Sequence, residues 1–273
     1  MKLEAFIWKW EEINEWLPIE DAVIANSLSP SCARILEVGS WKGGWAISMA
    51  ENDRSRKIIC VDPYPNLDQV RDGFLRIVAE RASEQIVLFP DLETALSGQK
   101  LSLDLIHIDG EHSQDAVYRD LTRSISCLAP AGLLIIDDIF YHSFPGVTAA
   151  AFKAIGEFEL SPFLFTGKKL YVCHKEYYSD YYSKAKNLLN CINLEYEEDQ
   201  FLTGEKSSYL QRNAINGFSL LILKSDTVLS KKFYRAILVR QKFDLKEIAR
   251  MVLPPLLFLR LHHLKKLYKR FTH

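Results

Sequence analysis

From Arg34 onward, short apolar runs alternate with stretches whose apolar residues recur at helical spacing. The run opening at Arg34, then Lys57–Val61, Ile86–Phe89, Leu103–Ile108 and Leu133–Ile136, are each too short for a helix and apolar on both faces. They predict five strands of a parallel sheet covered on both sides. Between them, Ala46–Ala50, Val70–Ala82 and Gln114–Cys127 read as helices, and Ala129–Gly132 reads as a turn. A further helix is expected over Val147–Ile155, then two strands over Phe158–Leu160 and Lys169–Cys173 that close the sheet as a hairpin. Before the first strand, Ile13, Trp16, Leu17, Ala22, Val23 and Ala25 suggest one or two helices, interrupted at Pro18 and closed by Ser29-Pro30. After Lys175, Tyr177, Tyr178, Tyr181 and Tyr182 fall in a predicted helix, followed by an acidic patch at Glu195–Asp199 and an apolar strand candidate at Phe218–Leu223.

The fold implied is α/β: a Rossmann-like, doubly wound, seven-stranded and mainly parallel sheet with helices on both faces, plus a basic helical C-terminal extension. Its expected parts are a helical lead-in at residues 1–30, a cofactor-binding domain at 31–175, a mixed extension at 176–230 and a basic tail at 231–273. Each of the five successive strands ends in or beside an acid: Glu37, Asp62, Asp91, Asp109, and Asp137-Asp138. Ligands of such sheets bind outside the carboxyl ends of the strands, so these acids are expected to converge on one crevice. The first strand also runs into Gly39-Ser40-Trp41-Lys42-Gly43-Gly44. Glycine permits positive φ and close approach of a ligand to the main chain, and the helix that follows offers unpaired amides.

Charge alters this picture only at the C-terminus. Residues 231–273 hold twelve Lys or Arg against Asp244 and Glu247, a net of +10, which leaves −11 on residues 1–230 of a chain whose total is −1. Five cysteines are scattered without CxxC spacing, which argues against a disulfide framework or a zinc site and favours a reducing compartment. Residues 1–20 lack the pattern of a signal peptide, and the longest apolar stretch, Met251–Leu259, includes Pro254-Pro255 and falls far short of the roughly 20 residues of a membrane span. The expected location is cytoplasmic, with the basic, leucine-rich tail either touching an anionic membrane surface or packing on its own domain or a homo-oligomer partner. No nucleic-acid partner is expected, because the body is acidic.

Several segments together carry a family likeness: Glu37-Val38-Gly39-Ser40-Trp41-Lys42-Gly43, Val61-Asp62-Pro63-Tyr64, His107-Ile108-Asp109-Gly110-Glu111-His112-Ser113, and Leu128-Ala129-Pro130-Ala131-Gly132 before Asp137-Asp138. In this order they resemble the class I S-adenosylmethionine-dependent methyltransferases, more narrowly the branch of macrocin and related sugar or antibiotic O-methyltransferases. The likeness spans about residues 30 to 175. It implies methyl transfer from S-adenosylmethionine to a hydroxyl of a small-molecule acceptor. The resemblance assigns donor binding to Glu37, Gly39, Ser40, Gly43, Asp62, Asp91 and Asp109. Asp62 would accept hydrogen bonds from both ribose hydroxyls, for which a carboxylate has the acceptor oxygens, and Asp91 would contact adenine.

Asp109, Asp137 and Asp138 at neighbouring strand ends would repel one another unless a positive group sat among them. The resemblance makes that group a divalent ion, Mg²⁺, which would also activate the acceptor hydroxyl. Glu111 stands at the family's general-base position, with His112 and His142 as competitors because histidine titrates near neutrality. His107 is expected to be structural, and Trp41 and Trp45 either stack on the ligand or pack in the core. Two other functions remain open from sequence: a nicotinamide-dependent oxidoreductase, disfavoured because the loop lacks GxGxxG order, and a non-catalytic cofactor-binding module tethered by its tail.

Overall fold

The computed structural model describes residues 19–31, 33–97, 102–191, 196–198 and 220–223. After α1 (Ile19–Leu28), strands and helices alternate as β1 (Arg34–Val38), α2 (Gly44–Asn52), β2 (Lys57–Val61), α3 (Asp68–Arg81), β3 (Ile86–Phe89), α4 (Leu92–Leu96), β4 (Leu103–Ile108), α5 (Gln114–Ile125) and β5 (Leu128–Ile136). Then come α6 (Pro145–Glu157), β6 (Leu160–Phe165), β7 (Leu170–His174), a 3-10 turn (Lys175–Tyr177), α7 (Tyr178–Cys191), β8 (Tyr196–Glu198) and β9 (Leu221–Leu223). They form one sheet in the order β3-β2-β1-β4-β5-β7-β6-β9-β8. Strands β1 to β5 are mutually parallel, β7 is antiparallel to both β5 and β6, and β9 runs parallel to β6. Strand order reverses between β1 and β4, which makes their carboxyl ends the switch point where such sheets bind ligands.

Alternation along the strands decides what each face buries. Leu36, Ile106 and Leu134 join Val117, Leu121, Ala150 and Ala154 of α5 and α6 in one core. The opposite parity sends Ile35, Glu37, His107 and Ile135 to the other face, where α2 stacks Trp45 on His107 and α1 accepts a hydrogen bond from Tyr171 at the Asp21 carbonyl. Two polar residues of this second face, Glu37 and His107, are only 1% exposed. Buried ionisable groups need partners, and those partners shape the site.

The sheet differs from the sequence expectation in three larger features. Strand β5 begins at Leu128, so Ala129–Gly132 is an irregularity inside the strand, where the register with β4 shifts between Leu103 and Leu105. Strand β6 covers Leu160–Phe165, beyond the expected Phe158–Leu160, because Pro162, which withholds an amide, is accommodated at a register shift between Pro162 and Leu164. The sheet has nine strands where seven were expected, β8 and β9 adding to the edge beyond β6. The four described cysteines are free, and among the described residues no helix is long and apolar enough to cross a membrane. The basic tail at 231–273 lies outside the described residues.

Candidate functional site

At the end of β1, Gly39 adopts φ +89°, and a Cβ there would lie 1.9 Å from the Asp109 carbonyl oxygen. Gly43 at φ +78° would put a Cβ 2.2 Å from the Phe74 ring of α3. Both glycines are therefore demanded by the protein's own packing, which draws the loop tight against β4 and starts α2 directly above it. The strand ends are stitched one residue past the sheet: Gly39 N–H donates to the Val61 carbonyl, Asp62 N–H to Phe89, Asp109 N–H to Val38 and Asp137 N–H to Ile108. These four hydrogen bonds join all five acid-bearing strand ends in a row.

This row borders a cavity of about 960 Å³, whose walls include Gly39, Trp41, Asp62, Asp91, Asp109 and His112. That volume lies within the range of sites that enclose a cofactor-sized ligand. Asp62 accepts the Trp41 N–H at 2.8 Å on one oxygen and the Tyr64 N–H at 2.9 Å on the other. Each oxygen keeps a further acceptor position, so the carboxylate both ties the loop and still offers two parallel acceptors. Trp41 and Tyr64 both take left-handed backbone, at φ 46° and 44°, and the Tyr64 hydroxyl donates to the Trp41 carbonyl at 2.5 Å. Bulky residues seldom adopt that conformation, and such strain gathers at functional loops.

Asp91 also borders the cavity, but its carboxylate caps α4, accepting the Thr94 N–H at 2.7 Å and the Thr94 hydroxyl at 2.8 Å. These hydrogen bonds hold it below the usual carboxylate range. The cap is a full use for this side chain without any ligand. Helix α5 adds Arg119, Asp120 and Arg123 to the wall, none of which the sequence singled out.

A second, smaller cavity of about 90 Å³ shares Gly39, Trp41 and Asp109 with the first and reaches Glu37, Trp45 and Lys169. Burial pushes the Glu37 carboxyl up to about 8, against the opposing influence of the nearby Ser40 and of Cys60, whose thiol lies 3.5 Å from Oε2. Burial, with Lys169 nearby, drives His107 well below its usual range, so its ring is neutral. Its Nε2 lies 3.1 Å from Lys169 Nζ and must accept there, which puts the ring proton on Nδ1, 3.6 Å from Glu37 Oε1. The two tryptophans divide: Trp45 is buried against His107, whereas Trp41 is 43% exposed at the junction of both cavities.

Asp109, Asp137 and Asp138 converge as their strand positions required. Their counter-charge, however, is a residue the sequence reading passed over: Lys169 Nζ contacts Asp137 Oδ2 directly, at 1% residue exposure. Lys168 Nζ stands 4.0 Å from Asp138 Oδ1. Burial alone would raise Asp137, and Lys169 outweighs it, holding the carboxyl below its usual range. His107, Asp109 and Asp137 lie close enough for one ion, as do Asp109, His112 and Asp138. The donor sets fit Mg²⁺ poorly: the first is shared with an ammonium, and each contains an imidazole where Mg²⁺ prefers six oxygens.

The three candidates for the base separate in space. His112 lines the large cavity, stacks on Phe144 at 4.0 Å, and brings Nε2 to 3.1 Å from Asp138 Oδ2. Glu111 also reaches the cavity, yet its carboxylate accepts the Ser113 hydroxyl at 2.7 Å, beside the cap of α5. His142 packs against Tyr141 and is absent from the walls of both cavities.

Residues 36–139 match the family model of a methyltransferase domain. Among curated proteins, R132, an uncharacterised protein of Acanthamoeba polyphaga mimivirus, is 24% identical over 157 residues, 52% of this chain and 69% of that protein. The methyltransferase str3 of Strobilurus tenacellus is 31% identical over 120 residues, 43% of this chain and 39% of that protein, so the chain spans well under half of it. Among solved structures, the chain is similar to the O-methyltransferase TomG of Streptomyces achromogenes at 12% identity and a TM-score of 0.45, over 57% of this chain and 79% of that one.

Proposed function

We propose that this chain, whose residues 36–139 match the model of a methyltransferase domain, is a class I, S-adenosylmethionine-dependent methyltransferase that moves a methyl group onto a hydroxyl oxygen of a small molecule. The observation that carries the reading is Asp62, which ends β2 beside the glycine loop and turns two acceptor oxygens toward a cofactor-sized cavity. S-adenosylmethionine in that cavity would supply a methyl group on a sulfonium sulfur, open to in-line displacement. The chain's own work is to hold and align. Asp62 pairs with the ribose diol, and Gly39 lets the loop lie flat under the donor. The small cavity beside Glu37 and Trp45 takes the amino-acid end, which carries both charges, against walls that carry both charges. As the C–O bond forms and the S–C bond breaks, the acceptor hydroxyl loses its proton to His112, whose imidazole is steadied by Phe144 and faced by Asp138. No step is routed through a divalent ion.

Calorimetry with S-adenosylhomocysteine tests the donor half. Asp62→Ala should weaken binding about a hundredfold, the scale of losing hydrogen bonds to a charged acceptor, and Asp62→Asn should lose less because one oxygen remains. Unchanged affinity in both variants removes Asp62 from the donor site. For the proton step, the acceptor is first found as a mass gain of one methylene in a metabolite extract. With that acceptor, His112→Gln should slow turnover by roughly 10²–10⁴-fold at preserved donor affinity, and Glu111→Gln should stay near wild type. The reverse ranking would give the role to Glu111.

A further inference from the structure

Each acid that ends β5 is answered by a lysine that precedes β7. The two strands are antiparallel with Ile136 opposite Leu170, so past the ladder Asp137 meets Lys169 and Asp138 meets Lys168 in reversed order. The Ile139 N–H donates to the Lys168 carbonyl at 2.9 Å and fixes that register beyond the last strand pair. A doubled acid is matched by a doubled base, and the hairpin that α6, β6 and the turn at Gly167 create brings the two pairs together.

We infer that Lys169, backed by Lys168, is the resident counter-cation of this crevice, and that Asp109, Asp137 and Asp138 hold no divalent ion when the protein works. The inference rests on reading the crevice as a methyl-transfer site. Carboxylates draw an ion only with charge not already met. Asp137 is engaged by an ammonium that is itself buried and also 3.1 Å from His107 Nε2. A divalent ion among His107, Asp109 and Asp137 would sit against that ammonium with little water to screen the repulsion. In the outer trio, Asp138 Oδ2 faces His112 Nε2 at 3.1 Å, and its other oxygen lies toward Lys168. Lys169 is thus a positioning residue. It holds Asp137 at the end of β5 and His107 in β4, and leaves deprotonation of the acceptor to a side chain.

The full chain is titrated with Mn²⁺, free ion being read by electron paramagnetic resonance, while S-adenosylhomocysteine affinity is measured on the same samples. Wild type is expected to take up no stoichiometric Mn²⁺ at millimolar concentration. Lys169→Met should gain uptake by at least about tenfold, the scale on which neighbours of a metal site tune affinity, and adding Asp137→Asn should abolish that gain. Stoichiometric uptake by wild type that Asp137→Asn abolishes would overturn the inference. So would the absence of any gain in a Lys169→Met protein that still binds S-adenosylhomocysteine. If that variant does not fold, the wild-type titration decides alone. Failure of wild type to bind S-adenosylhomocysteine, with Mn²⁺ behaving as expected, counts against the donor reading and leaves the lysine pairing intact.

Discussion

Gly39→Ala is expected to lower the free energy of unfolding by roughly 3 kcal/mol or more and to abolish measurable S-adenosylhomocysteine binding. Left-handed backbone at φ +89° costs a residue with a side chain about 1–3 kcal/mol. The new Cβ would also stand 1.9 Å from a backbone oxygen of Asp109, which cannot swing aside as a side chain would. Relief requires the end of β4 to move, and with it Asp109 and the junction of the two cavities. Gly73→Ala in α3 is the matched control: its Cβ meets nothing within 4 Å, so helix propensity alone should stabilise the protein by about 0.5–1 kcal/mol. Urea unfolding of both variants makes the comparison. An unchanged midpoint for Gly39→Ala would mean that the loop and β4 are not in the contact described.

Lys169→Met should cost about 3–5 kcal/mol at neutral pH, the usual effect of stranding one member of a buried ion pair. The pH dependence identifies the cause. In wild type, Asp137 is held below its ordinary value, so its stabilisation is present above the unfolded pKa of roughly 3.9 and fades as pH falls through the depressed folded value. Burial alone would lower Lys169, but Asp137, Asp109 and Asp21 outweigh it and raise it, so its contribution is complete below the unfolded value of roughly 10.4 and fades only as pH rises through the folded one. Between those limits the pair contributes evenly. Without the ammonium, burial pushes Asp137 up, and protonating it as pH falls removes the stranded charge. The gap between variant and wild type should therefore narrow from pH 7 toward pH 4, and Asp137→Asn should recover much of the loss. A gap that stays constant across that range would point to lost packing in place of lost charge.

Strand ends were legible where punctuation was strong. Pro, Gly or an acid stops β1 to β4 at the expected residues because no apolar side chain follows to prolong them. Strand β6 outruns its expected end at Leu160, and Pro162 does not stop it because its missing amide falls at a register shift. The acids were legible as a group because parallel strands bring their carboxyl ends together wherever the chain has been in between. Their individual uses were not: Asp91 carries the same strand-end signature as Asp62, and only Thr94, placed to be capped, distinguishes them. Lys168-Lys169 stood in plain view at the start of a predicted strand. Their partners follow from which strand β7 pairs with and in which direction, which no local pattern encodes.

The sheet does not end where the methyltransferase match ends. Strand β6 is buried along nearly its whole length, and its outer side is joined to β9, which β8 covers in turn. A protein trimmed after Cys191 would leave the backbone amides and carbonyls of β6 bare beside Phe163 and Leu164, a template on which a second chain can add a strand. In the full chain the short ribbon of β8 and β9 occupies that edge.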